Sequence, residues 1–450
     1  MTRARRKPST RELAALVIAR VEGDGAFASA ALEAELARAV QLEERDRALA
    51  TELVYGSLRV TPWLEREIAR FVPRGMGTVD RRVRAHLLVA AYQLFFTRVP
   101  AFAAVSEAVD AVTAARGARV GAFANAVLRR VAARSAVSPN TGEALREEAI
   151  AASAPGWLHA ALGRALSPAG AAAFLRCGTE RPPVVLRVER RSEREDWLAR
   201  LRRHTSGATF DAGTVSPLAI LARGASQPQK LPGWTDGAWA VQEEGSQLAA
   251  LAVGAREGEV VLDACAGRGN KTAILARAVG ACGAVDVCDA RPNKLERLGQ
   301  ELDRIGLRAR GRFAVDWSVG SGDVSGSYDR VLVDAPCSGT GTLRRRPEIA
   351  LRRGDTMDLA AMGRVQLAIV SRAARHVRRG GSLVYVVCSV LREEAEDVVE
   401  AALRECPDFA PAPFDAPEAR RIAQNASFFR LLPHVHGTDG YFVARLIRDG

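Results

Sequence analysis

From about Ala238 onward, short apolar runs rich in β-branched residues alternate with amphipathic stretches, and this alternation constrains the fold more than anything else in the chain. Strands are expected over Glu259–Asp263, Ala284–Asp289, Arg312–Asp316, Tyr328–Asp334 and Ser382–Cys388, with helices over Thr272–Val279, Pro292–Ile305 and Leu359–Val377. Repeated strand–helix units bury their apolar faces as a mostly parallel, doubly wound α/β sheet with helices on both sides. The run Gly440–Ile447 has strand character and is expected to pair as an antiparallel edge.

The first 135 residues follow a different period. Val83, Leu87, Leu88, Ala91, Leu94 and Phe95 share one helical face, as do Val120, Phe123, Val127, Leu128 and Val131. Ser9 with Glu12 forms a capping-box pattern, and Pro62, Pro73 and Pro100 fall at expected helix boundaries. An all-α domain over 1–138 follows, with a polar linker at Ser135–Gly142 containing Pro139-Asn140. Residues 143–237 are expected to form a small α+β subdomain: helices near Glu143–Ala152 and Trp157–Leu166, a strand at Pro183–Val188 and a helix at Arg194–His204. The loop Arg223–Thr235 closes it, and a third domain spans 238–450. A chain of 450 residues exceeds one core, in keeping with a multidomain reading.

Charge separates these parts. Only four of the 64 basic residues are lysine: Lys7, Lys230, Lys271 and Lys294. A GC-rich coding bias would produce this, and so would phosphate recognition, because a guanidinium fork matches phosphate oxygens. Residues 1–135 hold 22 basic and 14 acidic side chains, so two-thirds of the chain's net +12 lies in under a third of its length. That concentration favours a polyanion as partner of the helical part, against the plainer alternative of a solvated basic face. No apolar run approaches the roughly 20 residues of a membrane span. Leu13–Ala19 is short and closed by Arg20 and Glu22, which argues against a signal peptide. Seven cysteines without paired zinc spacing, and six histidines without metal spacing, point to reduced cytoplasmic thiols and no metal. No self-association motif stands out, so a monomer is expected.

Two cysteines end two of the expected strands. Cys337 lies in Asp334-Ala-Pro-Cys-Ser-Gly-Thr-Gly341 and Cys388 in Tyr385-Val-Val-Cys-Ser389. Strand carboxyl ends are where open α/β sheets place their chemistry. Two thiols there suit a reaction with one sulfur nucleophile and a second thiol that assists it, such as methylation of a pyrimidine carbon. Two buried structural thiols are the alternative. Cys177, Cys282, Cys288 and Cys406 carry no such pattern.

The first strand leads into Cys265-Ala266-Gly267-Arg268-Gly269-Asn270-Lys271-Thr272. The spacing fails the dinucleotide fingerprint, because Thr272 stands where a third glycine belongs. It fails the P-loop too, because Asn270 precedes Lys271. Asp289, Asp316 and Asp334 end the next three strands. Carboxylates along one rim suit a nucleoside cofactor without phosphates, S-adenosylmethionine rather than NAD. Asp289 would take the ribose hydroxyls and Asp316 the adenine amino group, while a turn or capping role for each is the alternative.

These residues closely resemble the Nol/Nop/Sun family of RNA cytosine-carbon-5 methyltransferases, in particular its bacterial Sun branch, which acts on small-subunit ribosomal RNA. The likeness runs through nearly the whole chain. It includes Glu52-Leu-Val-Tyr-Gly-Ser-Leu-Arg59, Asn125-Ala-Val-Leu-Arg-Arg130, Val241-Gln-Glu-Glu-Gly-Ser-Gln247, Arg345-Arg-Pro347, Cys388-Ser-Val390 with Glu393-Glu394, and Asp439-Gly-Tyr-Phe442. The resemblance implies a NusB-like RNA-binding domain at the start and a Rossmann-like methyltransferase domain at the end. It implies Cys388 as nucleophile, Cys337 as assistant in product release, and Asp334 beside the base. Cys265, Ala266, Gly267, Arg268, Gly269, Asn270 and Lys271, with Asp289, Asp316 and Asp334, would hold S-adenosylmethionine. Three departures stand out. Arg268 replaces the family's proline, which would put a bulky cation beside the cofactor. Asn270 replaces its second glycine, at a turn where asparagine's tolerance of left-handed backbone would help. Val387 replaces the threonine before the nucleophile.

Overall fold

Ser9 opens the first helix with a reciprocal cap: its hydroxyl oxygen accepts the Glu12 N–H at 3.3 Å, and the Glu12 carboxylate accepts the Ser9 N–H at 2.7 Å. The computed structural model describes residues 8–137, 142–179, 181–204, 207–225, 227–351 and 358–450. The basic start Met1–Lys7 and the expected linker residues Pro139 and Asn140 lie outside them. Two compact units result: Met1–Ala160 with Pro168–Arg181 and Leu343–Arg353, and Ala161–Ser167 with Pro182–Thr342 and Gly354–Gly450.

The first unit is helical. Its helices include Thr10–Asp24, Ala28–Arg38, Glu44–Arg59, Thr61–Ala69, Arg81–Phe96, Ala101–Arg116 and Ala118–Ala136. Val83, Leu87, Leu88, Ala91, Val127, Leu128 and Val131 are buried in one core, against which Leu94, Phe95, Val120 and Phe123 pack. Pro62 sits in the first turn of Thr61–Ala69 and Pro100 caps Ala101–Arg116, where a missing N–H costs nothing. Ser135, expected in the linker, continues the helix Ala118–Ala136. The segment Leu343–Arg353 belongs here although it follows a strand of the large sheet in sequence. Glu348, 4% exposed, accepts the Ala28 N–H at 3.3 Å, and Leu351 packs on the helical core.

The second unit holds two sheets. The smaller is antiparallel, with β1 (Val184–Val188), β2 (Thr209–Ala212), β3 (Ala219–Arg223) and β4 (Trp239–Val241) in the order β2-β3-β1-β4. Helix Arg194–His204 covers it through Leu198 and Leu201, over a core containing Phe210 and Trp239.

The larger sheet has β5 (Val260–Asp263), β6 (Ala284–Asp289), β7 (Gly311–Ala314), β8 (Tyr328–Asp334), β9 (Val377–Val387), β10 (Phe409–Pro411), β11 (Phe428–Leu431) and β12 (Tyr441–Arg448). Its order is β10-β12-β9-β8-β5-β6-β7, with β11 also paired to β12. The five strands from β7 to β9 are parallel, and separate apolar clusters back the sheet. The chain steps outward from β5 to β7, then returns to β8 on the other side of β5. That reversal opens a crevice at the strand carboxyl ends. β12 is antiparallel as expected, but it is not an edge. β9 lies on one side, with β10 and β11 on the other. Three-residue β10 ends on a proline and has no readable strand period, so it stays invisible until tertiary pairing supplies its hydrogen bonds.

Candidate active site

Because β5, β6, β8 and β9 run parallel, their carboxyl ends share one rim. β5 ends on Asp263, and the chain then turns through Gly267 (φ 58°) and Gly269 (φ 84°) into the helix Asn270–Val279. Both glycines take left-handed backbone that side chains resist. A Cβ at Gly269 would also lie 2.8 Å from Leu298 Cγ, whereas one at Gly267 would meet nothing within 4 Å. The turn therefore presents bare backbone at the start of a helix, a surface suited to close ligand approach. Asn270 needs no left-handed tolerance, because Gly269 takes that conformation and Asn270 opens an ordinary helix. Arg268 is solvent-exposed. Val387 ends β9 wholly buried in the apolar core.

The acids are differently placed. Asp289 is buried at the end of β6; it accepts the Gly267 N–H at 3.1 Å, the Arg291 N–H at 2.9 Å and Lys294 Nζ at 3.0 Å. It thus ties the turn to the neighbouring strand. Asp316 lies two residues beyond β7 and is exposed; its carboxylate caps a turn by accepting the Ser318 N–H at 2.9 Å. Asp334 ends β8 and accepts from Lys271 Nζ at 2.6 Å, with Lys271 itself 9% exposed. Burial alone would lower the Lys271 ammonium, but the Asp334 charge and hydrogen bond offset it and leave it raised. Lys271, expected as part of a cofactor loop, is therefore also joined to the expected catalytic acid. Cys265 is half-buried in the turn, and burial, then Asp334, push its thiol well up.

Cys337 and Cys388 meet. Their Sγ atoms lie 3.3 Å apart, on loops leaving the adjacent strands β8 and β9. The hydrogen bond with Cys388, reinforced by burial, pushes the Cys337 thiol well above its ordinary range. Cys337 therefore stays protonated at neutral pH.

Three residues without an assigned role in the sequence also belong to this region. Asp263 is fully buried. Its Oδ2 accepts from Thr272 Oγ1 at 2.7 Å, while its Oδ1 has no hydrogen-bond partner among the described residues. Burial pushes its carboxyl up to about 7. A fourth strand-ending acid was the available signal. Arg187, 1% exposed in β1, donates to the Asn270 carbonyl at 2.7 Å and to Gln242 Oε1 at 2.8 Å, so the small sheet braces the turn. A charge inside the apolar run Val184–Val188 was its signal. Glu394, 0% exposed, accepts the Ser338 N–H at 2.7 Å. Bare glycine backbone, the Asp289 carboxylate and a buried Asp263 oxygen with no partner among the described residues fit a cationic nucleoside ligand such as S-adenosylmethionine. Among the described residues, no cluster could hold a metal ion and no helix is long and apolar enough to cross a membrane.

A doubly wound sheet with this rim defines a Rossmann-like methyltransferase domain. Comparison with known proteins places it further. The model of the family described as "16S rRNA methyltransferase RsmB/F" matches residues 250–447, and that of the NusB family matches 8–133. The "Ribosomal RNA small subunit methyltransferase B" of Pseudomonas syringae pv. tomato is 33% identical, over 91% of this chain and 90% of its own. The Citrobacter koseri protein of the same name is 31% identical over 98% and 100%. Among solved structures, PH0851 superposes with a TM-score of 0.81 at 24% identity, covering 98% of this chain and 100% of its own. NSun6 from Pyrococcus horikoshii with SFG gives 0.56 at 19% identity, covering 66% and 98%. These structural likenesses bear on the fold. The chain belongs to the RsmB/F family of 16S rRNA methyltransferases, with a NusB domain ahead of the catalytic one. It is accordingly an S-adenosylmethionine-dependent methyltransferase.

Proposed function

We propose that this protein methylates carbon 5 of a cytosine in 16S ribosomal RNA through a covalent bond from Cys388 to carbon 6 of the base. The observation that carries the reading is the pair of thiols 3.3 Å apart beside the Lys271–Asp334 pair. The relatives' names supply the class of RNA.

Carbon 5 of cytosine is a poor nucleophile. Thiolate addition at carbon 6 turns the ring into an enamine that attacks through carbon 5. When bound, S-adenosylmethionine supplies an electrophilic methyl group. The turn Cys265–Lys271 would hold it, with Asp289 at the ribose and Asp316 at the adenine. Cys388 must attack as a thiolate, against an ordinary thiol pKa of about 8.5, and a cation nearby assists that. Lys271 interacts electrostatically with Cys388 and meets that need. Asp334 faces the N3 and amino edge of the base. After methylation, a base removes the carbon-5 proton, the carbon–sulfur bond breaks and the ring's double bond returns. Cys337, which keeps its proton, acts in that release. The target base must leave its stack, so a loop or remodelled strand is the expected substrate. In the same reading residues 1–138 bind RNA, 143–237 connect, and 238–450 carry the chemistry, in a cytoplasmic monomer.

Cys388→Ala should abolish both methylation and denaturant-resistant RNA adducts. Cys337→Ala should accumulate such adducts. Adducts in the Cys388 variant instead would reverse the two roles. Bisulfite mapping of rRNA and tRNA from a deletion strain identifies the substrate; a lost mark in tRNA alone would overturn the ribosomal assignment. Calorimetric titration with no binding at millimolar S-adenosylmethionine would leave an RNA-binding factor without catalysis.

A further inference from the structure

The two thiols sit on loops outside regular secondary structure, so their 3.3 Å separation needs something to hold it. Backbone bonds supply part: the Gly341 N–H donates to the Cys388 carbonyl at 3.0 Å. Much of the rest converges on one buried carboxylate. Glu394 follows the Cys388 loop and is 0% exposed. Its Oε1 accepts the Ser338 N–H at 2.7 Å and Gln366 Nε2 at 3.2 Å, and its Oε2 accepts the Ser338 hydroxyl. Gln366 also donates to the Pro336 carbonyl at 2.9 Å, so the residues flanking Cys337 on both sides are bound to Glu394 or to its partner. Thr340 and Ser389 join the loops through their hydroxyls at 3.0 Å, and Tyr385 OH donates to the Glu394 carbonyl at 2.7 Å.

We propose that Glu394 is a positioning residue that clamps the Cys337 loop onto the Cys388 loop and so sets the distance between the two thiols. A buried carboxylate is costly unless its acceptors are filled, and here the donors that fill it come from the loop it must fix. Glutamine keeps an acceptor for the Ser338 N–H but sets an amide N–H against the Ser338 hydroxyl, which must then accept instead of donate, so the charge-assisted bond is lost. A loosened Cys337 would meet the adduct poorly, so the defect falls on release rather than on RNA capture. That consequence rests on the cysteine reading above; the clamp itself does not.

The test therefore reads thiol geometry directly. Diamide couples two adjacent thiols into a disulfide, taking up their two protons and two electrons to become its hydrazine. In the full-length protein, peptide mapping follows the rate at which Cys337 and Cys388 become linked. Glu394→Gln should slow linkage about tenfold or more, the scale of one lost charge-assisted hydrogen bond. Ser338→Ala, which removes only the hydroxyl arm, should slow it less. Tyr385→Phe deletes a buried bond to the same residue without touching the carboxylate, and should leave the rate unchanged. Linkage at the wild-type rate in Glu394→Gln overturns the clamp, as does equal slowing by Tyr385→Phe, which would signify general loosening. In turnover assays, Glu394→Gln should lower kcat with KM for RNA unchanged and accumulate adduct. Methylation that survives Cys388→Ala would remove the cysteine mechanism while leaving the linkage result to judge the clamp.

Discussion

Replacing Asp263 with asparagine should stabilise the protein at neutral and alkaline pH while weakening its hold on the cofactor. Asp263 is fully buried, with one carboxylate oxygen on Thr272 and the other without a partner among the described residues. Burial, only partly countered by the Thr272 bond, brings its carboxyl up to about 7. In the unfolded chain an aspartate titrates near ~3.9. Between those values the native protein keeps a proton that the unfolded chain has lost. Stability therefore falls as pH rises through the window and levels off above the folded value. The whole displacement corresponds to roughly 4 kcal/mol, of which about 2 kcal/mol falls between about pH 5.5 and 8.5. Asparagine has nearly the same shape, keeps an acceptor for Thr272 and does not titrate. Urea denaturation of both proteins without cofactor, at the two pH values, should show the variant's advantage widening by about 2 kcal/mol. Parallel pH dependences would refute the argument. A carboxylate kept at such a cost makes sense opposite a cationic ligand, so calorimetry should find S-adenosylmethionine binding weaker in the variant by about tenfold or more.

Other perturbations probe the same rim. Lys271→Met strands Asp334, whose side chain is 30% exposed, so thermal melts should show a loss of roughly 2–3 kcal/mol, below the usual figure for a wholly buried pair. Arg187→Met removes the brace on the Asn270 carbonyl and leaves the buried Glu189 to Arg277 alone. Chemical denaturation should register roughly 2–3 kcal/mol, below the figure for a wholly unpaired buried charge, and cofactor affinity should fall although Arg187 belongs to the small sheet. Gly269→Ala meets both a left-handed φ of 84° and Leu298 at 2.8 Å, whereas Gly267→Ala meets only the φ of 58°. The first should cost about 2 kcal/mol or more and the second about 1 kcal/mol, and equal melting temperatures would contradict the packing argument.

Most of the fold was legible because its signals are local. β6 and β8 coincide with their expected spans, and the helix Arg194–His204 does too. The strand period is written in runs such as Tyr328–Asp334, where Val331, Leu332 and Val333 are wholly buried because both faces of the sheet are covered. Three-residue β10 and the four-residue helix Glu348–Leu351 were not legible, since neither is long enough to show a period. At the site, strand-end position singled out Cys337, Cys388, Asp289 and Asp334. It did not distinguish the buried Asp289 from the exposed Asp316, which differ only in where β7 stops.

Periodicity, charge and motif spacing were enough to specify a helical basic part, a parallel α/β part and a rim of acids and thiols, because each depends on neighbours a few residues away. Partnership was decided only in three dimensions. The parallel register of β8 and β9 brings Cys337 and Cys388, far apart in sequence, to 3.3 Å. The turn before the helix Asn270–Val279 delivers Lys271 to Asp334, and it leaves Asp263 buried with one oxygen that has no partner among the described residues. Which carboxylate is paired, which is orphaned and which clamps a loop follows from burial and hydrogen-bond geometry, and those are properties of packing across strands rather than of order along the chain.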